Sequence, residues 1–192
     1  MARWEPNAHG CLATAALELY NERGYEQTTV AEIAKRAGLT ERTFFRHYAD
    51  KREVLFAGSG ELQELFVRTV ADAPESATPI DALAAGLDAV SEMFADLREY
   101  ARKRQTVITA NPELKERELI KLASISAALT DTLRRRGVAE SAAGLTAEAG
   151  VAVFKVGFER WIVAAEERGM ARLMRESPDE LKAVIAGGRG VW

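Results

Sequence analysis

An all-helical fold is predicted by three features of this sequence. Apolar residues recur at steps of three and four along most of its 192 residues, helix-start and helix-stop residues punctuate those runs, and no segment makes a convincing strand. Ala, Leu, Glu and Arg dominate the composition against five prolines, which favours helix throughout. The expected order is a three-helix module over residues 1–50, then a larger helical domain over 51–192, with about nine helices in all.

Leu12, Ala15, Ala16, Leu19 and Tyr20 share one face of the first helix, and Gly24 behind Arg23 supplies its stop. The second helix opens with Thr29 and Glu32 at capping-box spacing, which satisfies two orphan amide donors reciprocally. Val30, Ile33 and Ala34 face inward on it, Leu39 plugs the turn that follows, and Ala34 and Gly38 are small where two helices would come closest. Thr40 caps a short third helix whose Phe44 shares a face with Ile33. Asp50 then caps a fourth helix from Lys51 through Val54, Leu55, Leu62, Leu65, Phe66 and Val70. Gly58-Ser59-Gly60 interrupts that run, and two glycines in a helix interior cost roughly 2 kcal/mol relative to alanine. The segment reads as a hinge or as a plain break between helices.

Residues 72–78 are the one break in composition, after which Thr78-Pro79 starts a fifth helix with a hydroxyl cap and proline in the first turn. Ile80, Leu83, Leu87, Val90, Phe94 and Leu97 form its stripe. A sixth helix over 100–110 stops at Asn111-Pro112, and a long seventh over 112–136 turns Leu119, Leu122, Ile125, Leu129 and Leu133 inward. Its closing Arg134-Arg135-Arg136 suits the negative end of the helix dipole or a nucleic-acid patch. Between Leu145 and Glu166 apolar residues occur nearly all the way round, so that helix must be covered on both sides. Ala143, Gly150, Gly157 and Ala164 recur by sevens there and would let another backbone approach. A last helix, beginning at Pro178 and reaching Ala186, offers Leu181, Val184 and Ile185. The simplest partner for the surplus apolar surface is a second copy of the chain.

A net charge of −3 means that any surface for a polyanion has to be local. Residues 35–52 hold six basic side chains (Lys35, Arg36, Arg42, Arg46, Lys51, Arg52) against two acidic ones (Glu41, Asp50), a local balance of +4. The same segment contains two short helices joined by a tight glycine turn, a helix-turn-helix whose second helix is shaped to enter a DNA major groove. One cysteine, Cys11, excludes an intrachain disulfide and a cysteine metal cluster, and favours a reducing, cytoplasmic setting. No apolar run is long enough to span a bilayer, and residues 1–6 lack a signal pattern. The two histidines, His9 and His47, stand far apart in sequence, no glycine-rich phosphate loop follows a strand, and no acid pair has di-iron spacing. No catalytic residue, metal or cofactor is therefore expected.

Gly24-Tyr25, Thr28-Thr29-Val30-Ala31-Glu32-Ile33-Ala34, Ala37-Gly38-Leu39, Thr43-Phe44-Phe45-Arg46-His47-Tyr48 and Asp50-Lys51 together resemble the TetR family of bacterial transcriptional regulators. The later segments Tyr100-Ala101-Arg102-Lys103-Arg104, Asn111-Pro112-Glu113-Leu114, Glu118-Leu119 and Val153-Phe154-Lys155-Val156-Gly157-Phe158-Glu159-Arg160-Trp161 resemble the branch with mycofactocin-type regulators, whose C-terminal domain is associated with acyl-CoA-like ligands. The resemblance implies a three-helix reader, a connecting fourth helix, and a helical ligand-binding and dimerisation domain. The homodimer would form through the helices over 145–166 and 178–186. It would bind a palindromic operator in double-stranded DNA as a repressor and be released by a small apolar or acyl-CoA-like effector.

Carried over position by position, Thr29, Thr43, Tyr48 and Lys51 would hold phosphates, and Arg42, Phe45, Arg46 and His47 would face bases or the adjacent backbone. Glu41 would accept from a cytosine amine or support the cap, and Ala31 is too short for the groove contact some relatives make from its position. The effector would meet Met93, Phe94, Leu97, Tyr100, Val107, Leu122, Ile125, Phe154, Phe158 and Trp161, with Arg104 as a polar anchor. Arg98, Arg102, Lys103 and Arg104 make a basic cluster that suits CoA phosphates or a solvated face. An activator, or a helical dimeric interaction module that does not read DNA, stays open as the alternative.

Overall fold

The computed structural model describes residues 8–164 and 169–185, with side chains throughout except at 177–179 and 181–185. Among the described residues there are nine α-helices, one 3-10 turn and no strand. The helices are α1 (Ala8–Arg23), α2 (Val30–Arg36), α3 (Glu41–His47), α4 (Ser59–Ala71), α5 (Pro79–Met93), α6 (Arg98–Ala110), α7 (Pro112–Arg135), α8 (Glu140–Val163) and α9 (Met170–Ile185), with the 3-10 turn at Glu53–Phe56. The chain divides into two compact units: residues up to Gly60 together with Tyr100–Ile120, and Glu61–Glu99 together with residues from Lys121 onward.

In the first unit, α2 and α3 have seven residues each, too few to persist without tertiary support. Their ends are therefore tied down. Thr29 and Glu32 form the expected capping box, and the Thr40 hydroxyl accepts from the Thr43 amide at 3.2 Å. At the end of α2, Gly38 adopts a φ of +69° while its amide donates to the Lys35 carbonyl and the Leu39 amide reaches the Ala34 carbonyl. These are the two bonds of a Schellman motif, so Gly38 is there for its left-handed backbone. The closest-approach reading fails at this residue, because a Cβ on Gly38 would meet nothing within 4 Å. Ile33, Phe44 and Tyr48 bury against Leu12, Ala16, Leu19 and Tyr20 of α1 and against Val54, Leu55 and Phe56 of the 3-10 turn. Val107 and Ile108 of α6 and Leu114 of α7 close the same core, so the hydrophobic centre of the first unit draws on residues well past residue 50.

The expected single helix from Lys51 to Val70 is two elements. Asp50 does accept from the amides of Arg52 (2.8 Å) and Glu53 (3.2 Å), but what it caps is the four-residue 3-10 turn. α4 starts afresh at Ser59, so Gly58 precedes it and Gly60 lies in its first turn, outside the interior where glycine is costly.

The second unit packs α5, α8 and α9 together, with Phe66 and Val70 of α4 and Ile125, Leu129 and Leu133 of α7 in its buried set. Close approaches are made at glycines: a Cβ on Gly86 would overlap the Phe66 ring, one on Gly150 would sit 3.0 Å from Leu83, and one on Gly157 would sit 2.7 Å from the Met174 sulfur. Two of the four small residues spaced by sevens, Gly150 and Gly157, therefore receive side chains of the same chain. Arg136, at the end of the basic triplet, donates to the carbonyls of Ala71, Ala73 and Pro74 and so pins the loop after α4.

Three apolar assignments move. Ile80 is exposed because the buried line of α5 runs through Ala82, Leu83, Gly86, Leu87 and Val90. Leu97 is exposed because α5 ends at Met93 with Phe94 as its C-cap. Leu119 is exposed because the inward line of α7 passes from Leu114 through Glu118 to Ile125. The last helix begins at Met170, eight residues before Pro178; the side chains of Leu181, Val184 and Ile185, and all of Glu166 and Ala186, lie outside the described residues.

Candidate nucleic-acid interface

The outer face of α3 presents Glu41, Arg42, Phe45, Arg46 and His47, all exposed. Phe45, a large apolar residue, is 55% exposed on this face. Thr40, Arg42, Thr43, Phe45 and Arg46 line one shallow concavity on this face. The helix is held from behind by Phe44, which is fully buried. The C-cap Tyr48 donates its hydroxyl to the His9 carbonyl (2.9 Å) and stacks on the His9 ring with centroids 4.7 Å apart. His47 meets the same His9 ring edge-on at 6.1 Å, so two histidines distant in sequence become neighbours at the end of the reading helix.

The cations of the +4 segment do not all reach this face. Arg36 is paired with Glu22 (2.8 Å) and Glu18 (3.2 Å), and Arg52 with Asp50 (2.6 Å). The Arg52 guanidinium, with help from two backbone amides, holds the Asp50 carboxyl below the usual carboxylate range. Lys51 points its ammonium at the carbonyls of Tyr25 (3.0 Å), Thr28 (3.3 Å) and Glu26 (3.4 Å) and lies 4.3 Å over the Tyr25 ring. Lys35 and Arg42 carry no carboxylate partner among the described residues.

Of the nine expected DNA contacts, Glu41, Arg42, Thr43, Phe45, Arg46 and His47 are brought together on α3. Thr29 serves as the cap of α2, with its hydroxyl 2.9 Å from Glu32, and Tyr48 and Lys51 have the internal partners just described. Burial pushes the phenols of Tyr20, Tyr25 and Tyr48 up, and Glu113 adds to that at Tyr25. These tyrosines bond and pack at the back of the reader.

The expected effector residues divide between the units. Phe94, Phe154, Phe158 and Trp161 form an aromatic cluster in the second, with ring centroids 5.6 Å apart for Phe94–Phe158, 5.8 Å for Phe158–Trp161 and 6.1 Å for Phe94–Trp161. Met93, Leu97, Leu122 and Ile125 belong to that unit too. Tyr100, Arg104 and Val107 belong to the first, Val107 as part of the core with α1 and Tyr100 packed against it. Arg104 donates from Nε to the Leu55 carbonyl (2.6 Å) and pairs with Glu118 (3.5 Å). The basic cluster separates in the same way: Arg98, in the second unit, donates to the Ala164 carbonyl behind α8, whereas Arg102 and Lys103 are exposed on α6. Apart from Phe158–Trp161, three residues apart on α8, these pairings join residues far apart along the chain and have no local signature.

Residues 12–57 match the family of bacterial regulatory proteins named for TetR, and residues 77–186 match the MftR C-terminal domain. The chain is 38% identical over 79 residues to the HTH-type transcriptional regulator TcmR of Streptomyces glaucescens, a stretch covering 41% of this chain and 35% of that protein. It is 33% identical over 105 residues, 54% of this chain and 52% of the relative, to a Mycobacterium tuberculosis protein named MftR for the transcriptional regulation of mycofactocin biosynthesis. The matched stretches thus span a third to a half of these relatives. Among solved structures, FadR of Bacillus subtilis in complex with stearoyl-CoA superposes with a TM-score of 0.63 at 20% identity, covering 95% of this chain and 100% of that one. SmeT, the repressor of a Stenotrophomonas maltophilia multidrug efflux pump, superposes with a TM-score of 0.60 at 19% identity, covering 92% and 89%. With its helix-turn-helix in α2 and α3, and both halves matched, this chain belongs to the TetR family of transcriptional regulators and carries an MftR-type C-terminal domain.

Proposed function

We propose that the chain is a ligand-responsive repressor that reads a palindromic operator as a homodimer and releases it when an apolar or acyl-CoA-like effector binds the second unit. The observation that carries the DNA half of this reading is the outer face of α3, where Arg42, Phe45, Arg46 and His47 stand exposed on a helix capped at one end and bolted to α1 at the other. Arginine contacts to phosphate supply affinity, and the few remaining side chains read base edges. Glu41 reads a cytosine amine or keeps the cap in place.

Pairing two such helices requires a dimer, because half-sites lie about 34–36 Å apart along the duplex. α8 offers the surface for it. Leu145, Ala149, Ala152, Val156 and Val163 follow at steps of four, three, four and seven, on the side of the helix opposite Gly150 and Gly157. Leu145 is 74%, Val156 46% and Val163 76% exposed in the single chain. The effector reading rests on the aromatic cluster, which would receive an acyl chain or a similar apolar body. Nothing in this account requires catalysis, a metal or a cofactor, and it places the protein in the cytoplasm with the DNA it reads. No helix among the described residues is long and apolar enough to cross a membrane.

The test is a duplex selected by the protein from a random-sequence pool, then challenged with stearoyl-CoA or free stearate. The reading expects a palindromic consensus, affinity that falls steeply with salt, and release by at least one of the two compounds. A pool that yields no consensus at low salt would end the DNA half, and indifference to both compounds would end the acyl half.

A further inference from the structure

We infer that Arg104 is a positioning residue for DNA recognition: from α6 it fixes the 3-10 turn that completes the core behind the reading helix. The inference rests on the repressor reading above and adds a residue that lies far from α3 in sequence. The Arg104 Nε donates to the Leu55 carbonyl at 2.6 Å, and the guanidinium lies 5.0 Å over the Phe56 ring. Glu118 of α7 holds the other side of that guanidinium at 3.5 Å and also accepts from Gln105 Nε2 at 3.1 Å. The Arg104 and Glu118 side chains are only 19% and 25% exposed. A second tie of the same kind joins Arg117 to Glu53 at the start of the turn.

The turn needs such ties. It is four residues long, the Asp50 carboxylate caps only the amides at its start, and 3-10 hydrogen bonds are poorly aligned. Leu55 and Phe56 are buried in the same core as Phe44 and Tyr48, the inner residue and the C-cap of α3. A shift of the turn therefore repacks the surface on which the reading helix lies. Shielded ion pairs contribute little net stability against apolar side chains of similar volume, but they fix geometry. DNA affinity depends on that geometry, because an unfixed reader must order itself on binding.

Three variants separate positioning from stability: Arg104→Met, Arg104→Lys, and the double variant Arg104→Met/Glu118→Met, which leaves no orphan carboxylate. The measurements are affinity for the duplex selected by the wild type and amide hydrogen exchange over residues 53–57, both well below the unfolding temperature. We expect the double variant to unfold near the wild-type temperature, to exchange faster over 53–57, and to bind the duplex about tenfold more weakly. Arg104→Lys, which keeps the charge and one donor, should recover part of the affinity. Should Arg104→Met fail to fold, the double variant carries the test. Wild-type affinity in the double variant, or unchanged exchange over 53–57, overturns the inference, and so does a double variant that cannot fold, which would make the pair simply structural. If the wild type selects no duplex, the repressor reading fails first and the role in DNA recognition goes with it; exchange over 53–57 still shows whether Arg104 holds the turn.

Discussion

Lys51 and Arg42 carry the same charge nine positions apart, but their surroundings assign them different work. The Lys51 ammonium has three carbonyls around it and the Tyr25 ring beneath it, which is what holds the loop between α1 and α2 to the segment after α3. Arg42 stands exposed beside Phe45 and Arg46 with no carboxylate partner among the described residues. Salt dependence tells the two apart, since each phosphate contact contributes about 0.9 to the slope of log affinity against log salt. Arg42→Ala and Arg46→Ala should each flatten that slope by about one contact, and Arg42→Ala should leave the melting temperature nearly unchanged. Lys51→Met should leave the slope alone and cost about 2 kcal/mol of stability, because three hydrogen bonds from a charged donor to backbone carbonyls are lost. A flattened slope in Lys51→Met would instead return that lysine to the phosphate backbone. The residues of α3 were legible in the sequence because the turn, the cap and the outward positions are all set within about ten residues. Lys51, Arg36 and Tyr48 were not, because their partners come from α1 and its following loop, where periodicity carries no information about contact.

Caps and turns behave likewise at the scale of the element. Thr29 with Glu32 closes the capping box that spacing alone had disclosed, and Thr78, legible as a cap, closes a second box with Asp81. Backbone and side-chain bonds from Thr29 hold the Glu32 carboxyl below its ordinary range, as expected of an acid that serves as a cap. The 3-10 turn was invisible, since Val54, Leu55 and Phe56 fit the stripe of a longer helix as well as they fit a tight turn. α7 misled for a different reason: its inward line spends one position on Glu118, the partner of Arg104, so the apolar count favoured Leu119 wrongly. Packing at glycines gives a sharp test of the second unit. Gly86→Ala would drive a methyl into the Phe66 ring and should cost about 1–3 kcal/mol, whereas Gly144→Ala, in α8 with nothing within 4 Å of the new methyl, should stabilise by up to about 1 kcal/mol. Thermal unfolding of the two variants would show melting temperatures displaced in opposite directions. Equal displacements would mean that α4 and α5 do not approach as closely as Gly86 requires.

For the molecule as a whole, the sequence pattern between Leu145 and Glu166 demanded cover on two sides of one helix without saying which side faced what. The structure divides the two. Gly150 and Gly157 turn toward Leu83 of α5 and Met174 of α9, while Leu145, Ala152, Val156 and Val163 remain on the opposite side, exposed in the single chain. On the proposed repressor reading, an exposed line of this kind, repeated at helical spacing along a 24-residue helix, would be matched by the same line on a second copy related by a two-fold axis. Such a dimer would also link the two reading helices, so its loss should appear at the DNA. Val156→Arg places a charge at the middle of the line in both copies at once, where no described acid of α8 lies within one turn on the same face except Glu159. Sedimentation should then report a monomer with the helical content of the wild type. Affinity for the selected duplex should fall roughly a hundredfold, the loss expected when two linked binding events become separate ones. A Val156→Arg protein that stays dimeric and binds as tightly as the wild type would move the dimer contact off α8, and the source of paired half-site binding would have to be sought on another face.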